Sequence, residues 1–184
     1  MSQPLVTIMG RIGTGKTVQA RAVARELGWE TFSTGDLIRQ GDNPEAKQAH
    51  DQGKLAPTEF VQQMIMDKIK AIGSDKGIIL DGSPRMQAEA NYYDRELPKI
   101  GRQLDLVILL QLDDETIHQR LSSRQRVDDT PEGIANRMQQ FSDEIAPVIE
   151  QYRQRGLVRE VNDNAVIPEV TRSILKVLHD ENLA

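Results

Sequence analysis

Short apolar runs alternate along the chain with longer segments of helical periodicity. The apolar runs are bounded by glycine or polar residues, which is typical of strands covered on both faces; they lie at 5–9, 78–80, 106–110 and 157–161. The helical patterns lie at 16–27, 58–72, 86–97, 114–124, 131–155 and 168–178. This alternation predicts an α/β fold with helices on both faces of a mostly parallel sheet, which we expect to have about five strands.

The composition fits a globular chain with a well solvated surface, since 38% of its 184 residues are hydrophobic and 28% are charged. We therefore expect a single domain over residues 1–184. Cysteine is absent, which excludes disulfides and thiolate metal sites and favours a reducing compartment. The net charge of −5 argues against a general nucleic-acid binder, because such proteins present a basic face to phosphates.

The apolar segments are too short to direct the chain to a membrane or across it. The segment before Gly10 has only about six apolar residues, fewer than a signal peptide needs. No other stretch approaches the roughly 20 apolar residues that span a bilayer. We therefore expect a cytoplasmic protein without a membrane or nucleic-acid partner, and we expect a monomer.

A glycine-rich segment between the first strand and the first helix predicts a phosphate site. Residues 10–17 read GRIGTGKT and match the pattern G-x-x-x-x-G-K-[ST]. In such a loop backbone N–H groups converge on phosphate oxygens, and the helix N-terminus adds its positive dipole end. We expect Lys16 to reach the β and γ phosphates of ATP and the Thr17 hydroxyl to coordinate Mg²⁺. The predicted ATP contacts in this loop are Gly13, Thr14, Gly15, Lys16, Thr17 and Val18.

Several further motifs follow in a fixed order. They are Ser33-Thr34-Gly35-Asp36 with Arg39, Gly53-Lys54-Leu55-Ala56, Asp81-Gly82-Ser83-Pro84-Arg85, and the arginines Arg120, Arg124, Arg126 and Arg137. Together with the glycine-rich loop, these motifs resemble those of the adenylate kinase family of nucleoside monophosphate kinases over nearly the whole chain. The resemblance implies a P-loop NTPase fold with a small insert at 34–56 that binds the monophosphate and a short lid at 122–131.

The resemblance also implies a reaction, the transfer of a phosphoryl group from ATP-Mg to a nucleoside monophosphate, most commonly AMP. It places Arg120 and Arg124 on the ATP side, and Arg126 and Arg137 between the two nucleotides. The residues implied to act in catalysis are Lys16, Arg85, Arg120, Arg124, Arg126 and Arg137. We assign no general base, because phosphoryl transfer depends on in-line positioning and dispersed positive charge.

The acceptor side is implied by the same resemblance. Arg39 and Arg85 would hold the acceptor phosphate, Asp36 would support the acceptor loop, and Asp81 would orient waters on Mg²⁺. The other residues implied to bind the monophosphate are Thr34, Lys54, Leu55, Ala56, Gly82, Ser83, Pro84, Glu89, Arg126 and Arg137.

The chain departs from the family at three places. Arg11-Ile12 stands where the family commonly has a small residue and proline, and a single residue separates Arg124 from Arg126, so the short lid is trimmed further. Glu89 stands where adenylate kinases carry a glutamine that reads adenine. An ionised carboxylate only accepts hydrogen bonds, so it would suit AMP less well and guanine better.

Alternatives therefore remain open. Glu89 either reads the acceptor base or faces solvent, in which case the backbone near Leu55 reads the base. Because Ser83 replaces the aromatic residue of the motif, a UMP/CMP-preferring or GMP-preferring kinase is the first alternative activity. The second alternative is an inactive nucleotide-binding module. The presence of Lys16 and the lid arginines weighs against it, because a protein that only binds a nucleotide would not need them.

Overall fold

The computed structural model describes residues 3–123 and 130–184, and within these ranges the strands form one five-stranded sheet. The strands are Leu5–Gly10 (β1), Glu30–Ser33 (β2), Ile78–Asp81 (β3), Leu106–Gln111 (β4) and Val158–Asn162 (β5). Their spatial order is β2-β3-β1-β4-β5, and each neighbouring pair is parallel. The parallel α/β sheet predicted from the sequence is confirmed.

The strand β2 is the one that the pattern of apolar runs does not reveal. It lies at the edge of the sheet and pairs only with β3 among the described strands. Its residues are half-buried except Phe32, which is 8% exposed. An edge strand that is open to solvent needs few apolar residues, so its sequence carries a weak signal.

The helices cover both faces of the sheet. Their bounds are Lys16–Leu27 (α1), Thr34–Gln40 (α2), Pro44–Asp51 (α3), Thr58–Ile72 (α4), Gln87–Glu96 (α5), Asp114–Ser123 (α6), Pro131–Gln140 (α7), Ala146–Gln154 (α8) and Ile167–Asp180 (α9). A 3₁₀ segment, Leu97–Ile100, follows α5, and a π-helical turn, Phe141–Ile145, joins α7 to α8. The helical pattern at 131–155 is thus one continuous helical segment that widens in its middle. Among the described residues, no helix combines the length and the apolar character that crossing a bilayer requires.

The short helices α2 and α3 escape a search for helical periodicity, but their first residues carry capping signals. The Ser33 hydroxyl accepts a hydrogen bond from the backbone N of Asp36 at 2.9 Å. The Asn43 side chain accepts one from the backbone N of Ala46 at 2.9 Å, and Pro44 occupies the first turn of α3. Such caps specify where a helix begins even when it is too short to show a stripe of apolar residues.

The side chains of β1 alternate between two cores, one on each face of the sheet. Leu5 and Met9 belong to a core that α4, α5 and α8 cover, whereas Val6 and Ile8 belong to a core under α1 and α9. Because consecutive residues of a strand point to opposite faces, a strand that is buried on both faces is apolar throughout. This arrangement explains why β1, β3 and β4 read as continuous apolar runs.

Parallel strands place all five carboxyl ends at one edge of the sheet, and the motifs follow these ends. The glycine-rich loop follows β1, Asp81 ends β3, and Asp163 follows β5. In open parallel sheets ligands bind outside this edge. The fold therefore gathers at one place residues that are up to about 150 positions apart in the chain.

Trp29, which lies just before β2, packs against Gly77, which lies just before β3. A Cβ atom added to Gly77 would lie 2.3–2.6 Å from three atoms of the indole ring. The ring also contacts the core under α1 and α9. The absence of a side chain at Gly77 is thus a packing requirement of Trp29.

We expect Gly77→Ala to lower the free energy of unfolding by about 1–3 kcal/mol, because the added methyl overpacks a filled site. Urea denaturation of the variant and the wild type measures this cost. In a Trp29→Ala background the same substitution should cost less than about 0.5 kcal/mol. An equal cost with and without the indole ring would show that the ring is not what excludes a side chain at Gly77.

Candidate active site

A large cleft opens at the carboxyl edge of the sheet and has a volume of about 1380 Å³. Sites for one small ligand usually measure about 300–1,000 Å³, so this cleft has room for more than one nucleotide. The glycine-rich loop, the region around α2, the ends of β3 and β5, and helices α6 and α7 all contribute to its lining. The predicted site residues that line it are Gly13, Thr14, Gly15, Lys16, Thr17, Val18, Arg39, Lys54, Asp81, Gly82, Arg85, Arg120 and Arg137.

The glycine-rich loop turns tightly between β1 and α1, and Gly10 is required for this turn. Its φ angle is +152°, and a Cβ atom there would lie 2.8 Å from the Thr14 hydroxyl and 2.9 Å from the carbonyl oxygen of Leu110. The Lys16 ammonium donates hydrogen bonds to the carbonyl oxygens of Gly10 at 2.8 Å and Arg11 at 2.7 Å. The lysine charge is therefore held over the loop, at the start of α1.

Thr17 and Asp81 form a pair of oxygen groups on the floor of the cleft. The Thr17 hydroxyl donates a hydrogen bond to Asp81 Oδ2 at 2.6 Å, which joins the first turn of α1 to the end of β3. Asp81 is only 5% exposed. Hydroxyl and carboxylate oxygens are hard ligands, and Mg²⁺ is commonly held by one or two of them together with waters and substrate phosphates. The pair therefore fits the ion that the sequence predicts.

Four arginines converge on the cleft from different elements. The Arg85 Nε donates to the carbonyl oxygen of Gly82 at 2.7 Å, which fixes the side chain across its own loop. The Arg39 guanidinium pairs with Asp36 and lies 3.1 Å from His50 Nε2. Arg120 comes from α6 and Arg137 from α7. Arg124 and Arg126, which the sequence also assigns to the site, lie outside the described residues.

Asp36 is the carboxylate around which the acceptor-side cations gather. It accepts hydrogen bonds from Arg39 and, at 3.0 Å, from Arg21 of α1. Burial raises the pKa of Asp36, but its hydrogen bonds to Arg39 and Ser33 together with both arginine charges outweigh that effect and hold the pKa below its usual value. Asp36 thus favours its ionised form and holds Arg39, and its support of the acceptor loop stays a prediction.

The remaining predicted acceptor residues lie behind the surface of the cleft; they are Thr34, Leu55, Ala56, Ser83, Pro84 and Glu89. Thr34 is 3% exposed, and its hydroxyl has no hydrogen-bond partner among the described residues. The Ser83 hydroxyl lies 3.0 Å from the hydroxyl of Tyr93, and its carbonyl oxygen accepts from the Thr7 hydroxyl at 2.6 Å. Ser83 therefore anchors its loop to the buried layer beneath.

Glu89 corresponds to neither of the two alternatives considered from the sequence. The solvent-facing alternative is wrong, because Glu89 is only 3% exposed. Its carboxylate accepts a hydrogen bond from the backbone N of Arg85 at 2.9 Å and does not line the cleft. Burial raises the pKa of Glu89 above its usual value. Glu89 lies in the first turn of α5 and reaches back to the backbone of the residue before the N-cap, which is Met86, so the sequence offers no capping signature that would have predicted this contact.

The segment at 34–56 and helix α7 contact each other through main-chain atoms. A Cβ atom on Gly53 would lie 2.8 Å from the carbonyl oxygen of Gly133. The Gln140 amide donates to the carbonyl oxygen of Gly53 at 2.7 Å, and the Asn136 amide donates to that of Gln52 at 3.2 Å. We name this contact the insert joint. Gly53 and Gln140, which belong to this joint, also line the cleft.

Residues that follow β5 also line the cleft, although they belong to none of the motifs named from the sequence. Asp163 is 1% exposed and contacts both Gly15 and Arg120. Val166 and Ile167 expose 64% and 53% of their surface, which is unusual for large apolar side chains. The parallel order of the strands was the signal that would have found them, because it brings the end of β5 beside the end of β1.

Comparisons with known proteins agree with this site. The family profile described as "Adenylate kinase" matches residues 8–157. The adenylate kinase of Micrococcus luteus is 34% identical over 182 residues, which cover 94% of this chain and 89% of that protein. The adenylate kinase of Thermobifida fusca is 33% identical over 183 residues, with 94% and 97% covered. The adenylate kinase of Fusobacterium nucleatum is 29% identical over 205 residues, with 94% and 97% covered.

The family profile spans most of the chain, and relatives above 30% identity align along nearly all of it. The residues that this chain presents to its cleft include a complete phosphate loop and several converging cations. The chain therefore belongs to the adenylate kinase family.

Proposed function

We propose that this protein transfers the γ-phosphoryl group of ATP to AMP and forms two molecules of ADP. The observation that carries the proposal is that Lys16 and four arginines from separate elements line one cleft with the glycine-rich loop. Curated relatives that match this chain along nearly all of its length are named adenylate kinase, which does not favour a kinase for UMP, CMP or GMP. A module that only bound a nucleotide would not need this set of cations around a second phosphate site.

The donor occupies the half of the cleft next to the glycine-rich loop. Backbone N–H groups of residues 13–18 hold its phosphates, and Lys16 neutralises the β and γ groups. Arg120 lies on the same side, since its guanidinium reaches the carbonyl oxygen of Gly13 at 3.5 Å. The exposed apolar surfaces of Val166 and Ile167 are suited to cover the donor base. Arg124 adds to this side.

The acceptor occupies the half next to the insert at 34–56. Arg39 and Arg85 hold its phosphate, and Lys54 and Gly82 complete the lining. The buried Thr34 hydroxyl gains a partner when the acceptor is bound. The half-buried Leu55 and the buried Ala56, Ser83, Pro84 and Glu89 complete the acceptor side.

Catalysis follows from the placement of charge. ATP and AMP bring about four and two negative charges at neutral pH, and the lysine and arginines disperse this charge as the phosphoryl group moves in line between them. Arg126 and Arg137 serve the bridging position between the nucleotides, and Arg85 holds the acceptor phosphate. Mg²⁺, when it is bound, supplies positive charge to the donor phosphates, with the Thr17 hydroxyl as its ligand and Asp81 acting through water. Because the lid implied at 122–131 is short, we expect it to exclude water from the reacting groups less completely than a longer lid would.

We also propose a cytoplasmic monomer that binds nucleotides and neither nucleic acid nor membrane. The absence of cysteine and the net charge of −5 support this setting. Size-exclusion chromatography with light scattering measures the oligomeric state directly.

Lys16→Ala should lose more than 99% of phosphoryl transfer, because removal of one preorganised charge from the transition state costs on the order of 10²–10³ in kcat. Lys16 is not in a core, so the melting temperature without nucleotide should change little. A coupled ADP assay measures the loss. Lys176→Ala, which removes a lysine paired with Asp180 on the surface of α9, is the control and should keep wild-type activity. A Lys16 variant with a tenth of wild-type kcat would contradict the assignment of this loop.

Arg85→Ala should raise the KM for AMP about tenfold to a hundredfold, because a hydrogen bond to a charged group contributes about 1.5–3 kcal/mol. The KM for ATP should change less than about twofold, because Arg85 belongs to the acceptor half. Arg155→Ala is the control, since Arg155 pairs with Asp94 on the surface. A rise in both KM values by the same factor would show that Arg85 does not distinguish the two nucleotides.

Glu89→Gln should change stability in a pH-dependent way and leave acceptor choice unchanged. Because the folded state raises the pKa of Glu89, it binds that proton more tightly than the unfolded chain does. Wild-type stability therefore falls as the pH rises from the unfolded pKa, about 4.3, through the raised folded value. Glutamine does not titrate, so the melting temperature of the variant minus that of the wild type should increase from pH 4 to pH 8.

Thermal unfolding at intervals across this range gives the difference, with Glu45→Gln, an exposed position of α3, as the surface control. The ratio of AMP to GMP turnover should be the same in the variant and the wild type, because Glu89 does not line the cleft. If the melting temperature of the variant minus that of the wild type fell as the pH rises, the folded state would favour the ionised form of Glu89 and not the protonated form. An altered ratio would return Glu89 to the base-reading role.

A further inference from the structure

The carboxylate of Asp163 lies against the phosphate loop. Its Oδ2 accepts a hydrogen bond from the backbone N of Gly15 at 3.0 Å. The same oxygen accepts one from an NH group of Arg120 at 2.5 Å, and the second terminal nitrogen of that guanidinium donates to the Asp163 carbonyl oxygen at 2.7 Å. The side chain of Asp163 is 2% exposed, so this charge is withdrawn from solvent.

The backbone of Asp163 fixes this position. Its N–H donates to the carbonyl oxygen of Gln111 at 2.8 Å, so the residue continues the pairing of β5 with β4 beyond the end of the strand. A Cβ atom on Gly15 would lie 3.6 Å from one carboxylate oxygen and 3.8 Å from the other. The carboxylate therefore lies in van der Waals contact with the loop.

An anion thus already occupies part of the cradle that the donor phosphates use. The N–H of Gly15 is one of the donors that converge in such a loop, and Arg120 is the arginine assigned to the donor half. A phosphate that approaches these groups meets a negative charge that holds both of them. On the acceptor side the partners are different, since Arg85 is bound by a carbonyl oxygen and Arg39 by Asp36.

We propose that Asp163 is an internal competitor of the donor phosphates and sets the affinity for the donor. In the nucleotide-free enzyme it neutralises Arg120 and satisfies Gly15, which keeps the loop and the arginine in place. On binding, the donor phosphates take over the N–H of Gly15 and the guanidinium, and the carboxylate gives up both hydrogen bonds. The cost of this exchange falls on the donor alone. The inference rests on the proposed function, because that function identifies the ligand of the loop as a nucleoside triphosphate.

Asp163→Asn and Asp163→Ala test the competition. Isothermal titration with ATP, without acceptor, should give a Kd about threefold to thirtyfold lower in Asp163→Ala than in the wild type. The reason is that ATP no longer has to displace the hydrogen bonds of the Asp163 carboxylate. Asp163→Asn should lie between the two, since its amide oxygen still accepts from Gly15 but carries no charge. The KM for AMP should stay within about twofold of the wild-type value in both variants.

Asp105→Asn is the matched control. Asp105 Oδ2 also accepts a backbone hydrogen bond, from Leu5 N at 2.8 Å, but at the opposite end of the sheet. The substitution therefore removes a similar carboxylate contact, and ATP should bind this variant with wild-type Kd. Melting temperatures of all three variants report any loss of fold, and the isosteric Asp163→Asn decides the question if Asp163→Ala does not fold.

An unchanged or higher Kd for ATP in Asp163→Asn would overturn the proposal, since the carboxylate would then be an anchor of Arg120 and not a competitor. An equal rise in the affinity for AMP and for ATP would overturn it too, because the effect would not be specific to the donor. These results are distinct from a failure of the proposed function. In that case the wild-type protein itself would neither bind ATP nor transfer its phosphoryl group.

Discussion

The parallel direction of the strands is the constraint on which the rest of this structure depends. Because all five described strands run the same way, each delivers its next residues to one edge of the sheet. Strand pairing alone therefore brings three segments together at this edge: the loop after β1, the carboxylate at the end of β3 and the residues after β5. The burial of both sheet faces supplies the free energy that holds this edge rigid, and the site itself contributes little to the core.

The cations at this edge have hydrogen-bond partners before any substrate arrives. Lys16 rests on loop carbonyls, Arg39 on Asp36, Arg85 on the carbonyl oxygen of Gly82, and Arg120 on Asp163. Preformed partners reduce the reorganisation that binding requires, because each cation is already held at the cleft. Each half of the cleft contains one carboxylate partner, but the side chain of Asp163 is 2% exposed and that of Asp36 is 29% exposed. Because solvent screens Asp36 more than Asp163, we expect displacement of the carboxylate to cost more in the donor half than in the acceptor half.

The sequence was sufficient where a segment carries its own signal. The glycine-rich loop, the continuous apolar strands and the long helices are specified by local chemistry, so their positions follow from residue order alone. Glu89 and Asp163 show where this fails. The resemblance to the family implied that Glu89 lies near the acceptor, but only the folded loop shows that its carboxylate binds the backbone of Arg85. Asp163 stands in no motif, and its importance arises from the neighbourhood of β5 and the loop after β1, which is a property of the sheet.

The insert joint has a consequence for how products leave. Gly53 and Gly133 touch through main-chain atoms, and the flanking hydrogen bonds come from two amide side chains of α7. Among the described residues, the joint is made of main-chain atoms of Gly53 and Gly133 and of two amide side chains, and neither glycine belongs to the two cores under the sheet. Separation of these contacts would break a few hydrogen bonds and leave the two cores intact. We therefore expect changes at this joint to alter the rate at which ADP leaves more than they alter the thermal stability of the fold.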